Sequence, residues 1–150
     1  MYLLSDRLKL WRFTFRVYLL ILIFAVFFTP NRYLLPMQQY HYHFIPLDTT
    51  LDGLKGPRGQ HFWSYWTEYF GNLIGNVFLF VPMGFLLSAL QSNKSKWQVL
   101  LIGITVSIGI ELIQLLFKIG VCDVDDVLLN GLGTLVGVWI FRGLKFKAVK

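Results

Sequence analysis

The chain has 150 residues, of which 55% are hydrophobic and only 15% are charged. A soluble domain usually carries about 25% charged residues, so this composition excludes an ordinary soluble domain and indicates a membrane protein. The net charge of +6 does not indicate a nucleic-acid partner, because the basic residues lie at the ends of apolar runs, as in membrane proteins. The single cysteine, Cys122, excludes an intramolecular disulfide and a CxxC metal site. The length suits one domain over residues 1–150.

Four apolar runs along the chain predict membrane spans. They cover residues 10–29, 71–90, 97–117 and 127–144, and about 20 apolar residues are needed to cross a bilayer core. Arg12 and Arg16 interrupt the start of the first run, where their long stems can extend towards the headgroups. No A-x-A-like cleavage site follows this run, so we interpret it as an uncleaved anchor. The sequence therefore predicts an all-α fold, a polytopic bundle with four transmembrane helices.

The distribution of basic residues predicts the orientation of this bundle. Ten lysines and arginines flank one side, namely Arg7, Lys9, Arg12, Arg16, Lys94, Lys96, Arg142, Lys145, Lys147 and Lys150. Four flank the other side, namely Arg32, Lys55, Arg58 and Lys118. Because cytoplasmic flanks carry the excess of basic residues, both termini should be cytoplasmic. The loop between the first two spans should then be extracytoplasmic.

Residues 30–70 are predicted to form that loop. Its second half carries aromatic residues that are typical of an interfacial belt, namely Trp63, Tyr65, Trp66, Tyr69 and Phe70. All three histidines of the chain also lie here, at His41, His43 and His61. They could together bind a metal, but nothing in their spacing brings them together, and a metal site needs convergent ligands with supporting contacts. We therefore favour histidines that lie at the level of the headgroups.

Small residues four positions apart predict close helix packing in three spans. The pairs are Gly71 and Gly75, Gly103 and Ser107, and Gly133 and Gly137. Pro82 removes one backbone hydrogen bond from the second span and should kink it, with Gly84 relieving the crowding. Pro82, Gly84, Gly133 and Gly137 are therefore expected to have structural roles.

Polar residues occur where three of the spans begin or end. The second span begins with Asn72 and Asn76, the third ends with Glu111 and Gln114, and the fourth begins with Asp123, Asp126 and Asn130. The predicted topology brings all seven to the outer third of the membrane, so we expect a polar cavity open to the outside. An ionisable residue within a span costs ~3 kcal/mol and by default indicates function. Structural roles remain open, since asparagines can join helices and Asp123 or Asp125 could cap the fourth helix.

Three segments, taken in order, resemble the VanZ-like family of small bacterial membrane proteins. The family pattern is roughly N-x5-P-x-G, E-x2-Q and D-x2-D-x3-N-x2-G. It falls on Asn76, Pro82 and Gly84, on Glu111 and Gln114, and on Asp123, Asp126, Asn130 and Gly133. Asp125 lies outside this spacing, so we expect it to tolerate asparagine best. The resemblance implies a multi-pass protein of the bacterial cell membrane that acts at the envelope and gives low-level resistance to the glycopeptide teicoplanin.

Two main classes of function remain open. A binding protein would use the seven polar residues to hold a lipid-linked cell-wall precursor or a lipoglycopeptide among the membrane lipids, and would need no cofactor. A membrane enzyme would act on a lipid phosphate or a lipid-linked sugar. Its catalytic candidates are Glu111, Asp123 and Asp126, which could bind a divalent cation or transfer protons. The sequence contains no Walker loop or HExxH motif, so we favour binding or modulation, with transport or a purely structural role as further alternatives.

Overall fold

The computed structural model describes residues 2–28, 42–57, 59, 61–119 and 121–148. Five helices and two short strands are formed by these residues. They are α1 (Tyr2–Phe27), β1 (Tyr42–His43), α2 (Asp48–Gly53), α3 (Phe62–Leu90), α4 (Lys96–Phe117), β2 (Cys122–Asp123) and α5 (Val124–Ala148).

Four of these helices are long and apolar enough to cross a membrane. The spans are Asp6–Phe27, Phe62–Leu90, Lys96–Phe117 and Val124–Leu144. The prediction of an all-α membrane bundle with four transmembrane helices is therefore confirmed. The small exception is a parallel two-residue bridge, in which Tyr42 pairs with Cys122 and His43 pairs with Asp123. This bridge holds the segment before α2 against the turn before α5.

The second span is longer than the sequence indicated. Residues 62–70 were predicted to be loop, but they form the first turns of α3. No proline or glycine interrupts the chain between His61 and Gly71, so the helix can continue through the aromatic segment. At 1.5 Å per residue the 29 residues of α3 extend about 44 Å, whereas the hydrocarbon core is about 30 Å thick. Helix α3 is therefore roughly nine residues longer than the thickness of that core.

Helices α3 and α5 make the most extensive helix contact among the described elements. Gly133 lies against the backbone carbonyl of Val77, and Gly137 lies against that of Val81, so closely that a Cβ at either glycine would clash with the carbonyl oxygen. Both glycines were expected to have structural roles, and the structure places both at this crossing. Small residues permit this approach of two backbones.

A second close approach involves Thr134 on α5. Gly84 on α3 lies against the Thr134 carbonyl, and Gly103 on α4 lies against the Thr134 side chain. Thr134 is fully buried and its hydroxyl donates to the Asn130 carbonyl at 2.9 Å. Pro82 lies two residues before Gly84, inside the continuous helix α3. Three helices therefore meet around one threonine.

The pair Gly71 and Gly75 differs from these contacts. The sequence predicted that it forms a packing face, but no atom lies within 4 Å of a Cβ at either position. That prediction is wrong for the described chain, because α5 packs against the opposite face of α3, around Val77 and Val81. The two glycines instead line an open groove.

Helix α1 packs on α3 through an apolar face. Tyr18, Leu22 and Val26 are buried there, together with Phe80 and Met83 of α3. The Tyr18 hydroxyl donates to the Leu79 carbonyl at 2.8 Å, so this phenol is not left unsatisfied in the core.

The connection between α3 and α4 identifies one end of the bundle. Ser95 caps α4 in a capping box with Gln98. At this end Arg142, near the end of α5, donates to the Lys94 carbonyl at 3.2 Å. Helix α2 and the turn before α5 lie at the opposite end, where α3 and α5 begin.

Candidate functional site

A polar cavity of about 460 Å³ lies at the end of the bundle where α3 and α5 begin. Helix α2 covers it, and α3 and α5 form its walls. Its lining residues are Thr49, Thr50, Tyr65, Glu68, Tyr69, Asn72, Leu73, Asp123, Asp125, Asp126 and Leu129. The position agrees with the polar cavity that the sequence predicted near these helix ends.

Asp125 fastens α2 over this cavity. Its carboxylate accepts hydrogen bonds from the Leu47 N–H, the Thr49 hydroxyl at 2.7 Å, and both the N–H and the hydroxyl of Thr50 at 2.9 and 2.8 Å. Only 2% of Asp125 is exposed. The expectation that Asp125 would tolerate asparagine best does not fit these contacts, because an asparagine amide would face hydrogen-bond donors.

Asp123 shapes the start of α5. Its carboxylate accepts from the Asp125 N–H at 2.8 Å, so it caps the helix in the way that the structural alternative proposed. Its own N–H donates to the Glu111 carboxylate at 2.9 Å. Glu111 is 5% exposed and lies on α4 behind the cavity wall. This contact therefore joins α4 to the beginning of α5.

Asp126 and Asn76 meet between α3 and α5. The Asn76 side-chain amide donates to the Asp126 carboxylate in a short hydrogen bond. This hydrogen bond joins α3 to the first turn of α5. Because Asp126 lines the cavity and Asn76 does not, Asn76 positions Asp126 from behind.

A second polar layer lies deeper, between α4 and α5. The Asn130 side-chain amide donates to the Ser107 hydroxyl at 2.8 Å, and both residues are buried. Gln114 is also buried. Within the described part of the chain, the side-chain oxygens of Asn130 and Gln114 have no hydrogen-bond partner. These groups lie in the helix interface and do not line the cavity.

The seven polar residues predicted from the sequence are therefore divided between two places. Asn72, Asp123 and Asp126 line the cavity. Asn76 does not line the cavity, but its side-chain amide donates to Asp126, which does. Glu111, Gln114 and Asn130 are buried between helices.

Sequence reasoning missed five lining residues, three on α3 (Tyr65, Glu68 and Tyr69) and two on α2 (Thr49 and Thr50). The Tyr65 hydroxyl donates to the Gly53 carbonyl at 2.7 Å, and the Tyr69 hydroxyl donates to the Thr50 carbonyl at 2.8 Å. Glu68 is exposed and lines the cavity with them. A signal was present, because residues 65, 68 or 69, and 72 share a helix face once the helix is begun at residue 62. The threonines of α2 carried no comparable pattern.

The histidines do not form a metal site within the described chain. His41 lies outside the described residues, His43 lies in β1, and His61 precedes α3. Among the residues that the structure describes, no three His, Cys, Asp or Glu side chains are placed to hold a metal. Glu111, Asp123 and Asp126 are among these side chains, so the three are not placed to hold a metal together.

The pKa of the Cys122 thiol is affected by the carboxylates behind the cavity. The thiol is buried and lies in the turn before α5. Burial raises its pKa, and the carboxylates of Glu111, Asp123 and Asp126 raise the pKa further. A thiolate is disfavoured near apolar groups and negative charges.

These features define a four-span integral membrane protein with an acidic, aromatic-lined cavity at one end. The family model described as VanZ/LLP1 matches residues 15–146. The chain belongs to the VanZ/LLP1 family, so the resemblance noted from its motifs is confirmed.

One curated relative is Protein VanZ of Enterococcus faecium. It is 31% identical to this chain over 75 residues, which are 50% of this chain and 47% of that protein. The match thus spans about half the length of the relative. No solved structure matches the chain.

Proposed function

We propose that this protein acts at the outer face of the bacterial cell membrane, where its cavity binds a lipid-linked or lipidated ligand. Through this binding it modulates the envelope and raises tolerance to the glycopeptide teicoplanin. The observation that carries the proposal is the cavity of about 460 Å³ between α2, α3 and α5. Its volume lies in the range of small-molecule sites, about 300–1,000 Å³.

The lining chemistry suits a polar or glycosylated head group. Tyr65 and Tyr69 present stacked rings with centroids 6.3 Å apart. Asn72 offers an amide beside the carboxylates of Glu68 and Asp126. Aromatic faces with polar tips are suited to a site that is half apolar and half wet.

The position of the cavity suits a ligand from the membrane. The surplus length of α3 and its aromatic first turns suit a position of this end at the headgroups, where tryptophan and tyrosine are enriched. The end of the bundle at the Lys94 connector carries the excess of basic residues. Under the positive-inside rule that end is cytoplasmic and the cavity faces outward.

The contacts of the carboxylates favour binding over the enzyme alternative. Asp123 caps α5, and Glu111 accepts the Asp123 N–H, so both act on the backbone. Asp126 is the remaining catalytic candidate, and it lines the cavity, where its carboxylate accepts from the Asn76 amide. An enzyme acting on a lipid phosphate would therefore centre on Asp126, and its activity would depend on a divalent cation that chelation removes.

The test is the susceptibility to teicoplanin and vancomycin of a Gram-positive host that expresses the chain. Wild type, Asp126→Asn and the control Asp6→Asn are compared at matched membrane levels, since Asp6 is exposed in α1 and far from the cavity in sequence. Wild type and Asp6→Asn should raise teicoplanin tolerance, and Asp126→Asn should not. A wild-type chain without effect would contradict the proposal, as would an Asp126→Asn chain with full effect.

A further inference from the structure

A second concave surface lies on the outer side of α3. It is a groove of about 870 Å³ lined by Phe62, Trp63, Trp66, Thr67, Phe70, Gly71, Ile74 and Gly75. None of these side chains is charged, and Trp63 is 80% exposed. The groove runs along the helix because Gly71 and Gly75 have no side chains to fill it.

The groove and the polar cavity are neighbours on one helix. Tyr65, Glu68, Tyr69 and Asn72 face the cavity, and the groove residues alternate with them along α3. Aromatic rings lie between the two surfaces around Tyr69. The ring of Tyr69 lies 5.1 Å from that of Phe70 and 5.7 Å from that of Trp66. A single ligand could therefore contact both surfaces by crossing one row of rings.

The cavity is strongly acidic. Four carboxylates line it, from Glu68, Asp123, Asp125 and Asp126. Among the described lining residues there is no lysine, arginine or histidine. The donors that surround Asp125 are neutral N–H and hydroxyl groups. A cationic group would complement this charge, whereas a phosphate or a carboxylate would be repelled.

We propose that the ligand of the cavity is an amphiphile with a cationic amine head group, whose apolar chain lies in the α3 groove. The inference rests on the proposed function and names the chemical class of its ligand. The amine is held between the carboxylates of Glu68 and Asp126. The apolar chain of the ligand passes over Tyr69 and Phe70 and lies along Gly71 and Gly75.

Photo-cross-linking of the full chain in lipid nanodiscs tests this assignment. Three probes share one diazirine-bearing alkyl chain and differ in the head group, which is a primary amine, a hydroxyl or a carboxylate. Labelled positions are mapped by mass spectrometry. We expect the amine probe to label residues 62–75 about tenfold more than the hydroxyl probe does, as one charge-assisted contact would give.

Two variants test the contact with the amine head group and the contact with the alkyl chain separately. Glu68→Gln should lower amine labelling of residues 62–75 to about the hydroxyl level, because it removes one of the two carboxylates that hold the amine. Glu68 is exposed, so this change disturbs no buried contact. Gly75→Leu should lower labelling by all three probes, since it fills the open groove. Gly109→Leu is the matched control, because Gly109 on α4 also has open space at its Cβ, and it should change nothing.

Several results would overturn the assignment. Equal labelling by the three probes would do so, as would amine labelling that Glu68→Gln leaves unchanged. A Gly71→Cys chain that forms disulfide-linked dimers in the bilayer would show that a second copy occupies the groove instead.

The two proposals can fail separately. Equal labelling by all probes, with teicoplanin tolerance still lost in Asp126→Asn, would overturn the ligand class and leave the proposed function intact. Head-group-dependent labelling without any effect on tolerance would support the ligand class and overturn the role in teicoplanin tolerance.

Discussion

Thr50 donates both its backbone N–H and its hydroxyl to one oxygen of Asp125, at 2.9 and 2.8 Å. Helix α2, which carries Thr50, has six residues and buries none of them. Its preceding residue, Leu47, adopts a left-handed conformation with φ of 66°, which costs an L-residue about 1–2 kcal/mol. The Asp125 carboxylate therefore holds in place a short segment that has little apolar contact of its own.

Asp125→Asn should destabilise the protein more than Asp126→Asn does. An asparagine turns one acceptor oxygen into a donor that faces other donors, and such a loss costs about 1–3 kcal/mol. Thermal unfolding in detergent should show a lower Tm for Asp125→Asn. Asp48→Asn on the exposed side of α2 is the control, and it should leave the Tm nearly unchanged. An unaltered Tm in Asp125→Asn would mean that the carboxylate does not hold α2.

Gly133→Ala should disrupt the contact between α3 and α5. The new methyl group would clash with the backbone carbonyl of Val77, and overpacking of this kind costs roughly 1–3 kcal/mol or more. Gly71→Ala is the matched control, because its Cβ would point into open space. Tm values and the yield of folded protein should fall in Gly133→Ala and be maintained in Gly71→Ala. Equal stability of the two variants would contradict the close crossing.

Ser107 and Asn130 should behave as a coupled pair. Ser107→Ala would leave the buried Asn130 amide without the acceptor that it now has at 2.8 Å, at a cost of about 1–3 kcal/mol. Replacing both, in Ser107→Ala with Asn130→Leu, removes donor and acceptor together and should cost less than the sum of the single changes. A double-mutant cycle of unfolding free energies measures this coupling. Strict additivity would show that the hydrogen bond contributes nothing.

Cys122 should react slowly with iodoacetamide near neutral pH. Burial and three carboxylates raise the pKa of its thiol, and the thiolate is the reactive form. The rate should rise with pH through an unusually alkaline range. Glu111→Gln removes one of the charges and should lower the pKa, so its rate at a fixed pH below that range should increase. Asp48→Asn should not change the rate, and a Glu111→Gln rate equal to wild type would rule out the electrostatic explanation.

The main features of the fold could be predicted from the sequence because apolar runs of about 20 residues have few alternatives. The boundaries of α4 agree with the prediction to within one residue at each end. The first turns of α3 were missed, because Trp63 and Trp66 are typical of both an interfacial loop and an interfacial helix. The absence of proline and glycine from residues 62–70 was the signal that favoured a helix.

The candidate site was predicted less completely. Asp123 and Asp126 were selected because they lie at the start of the fourth span and match the family spacing, whereas Asp125 was set aside because it lies outside that spacing. Its partners Thr49 and Thr50 lie more than 70 residues away in a segment of weak pattern, so no local spacing could reveal the contact. Glu68 was missed for a related reason, since its helical face was assigned to the loop.

Labelling with a membrane-impermeant thiol reagent shows whether the acidic cavity opens to the outside of the cell. In a Cys122→Ser background, single cysteines are placed at Asn72, which is exposed in the cavity, and at Asn93, which is exposed in the connector at the other end. In intact cells the reagent should label Asn72→Cys, and it should label Asn93→Cys only after the membrane is permeabilised. The reverse pattern would place the cavity in the cytoplasm and contradict a role at the outer face.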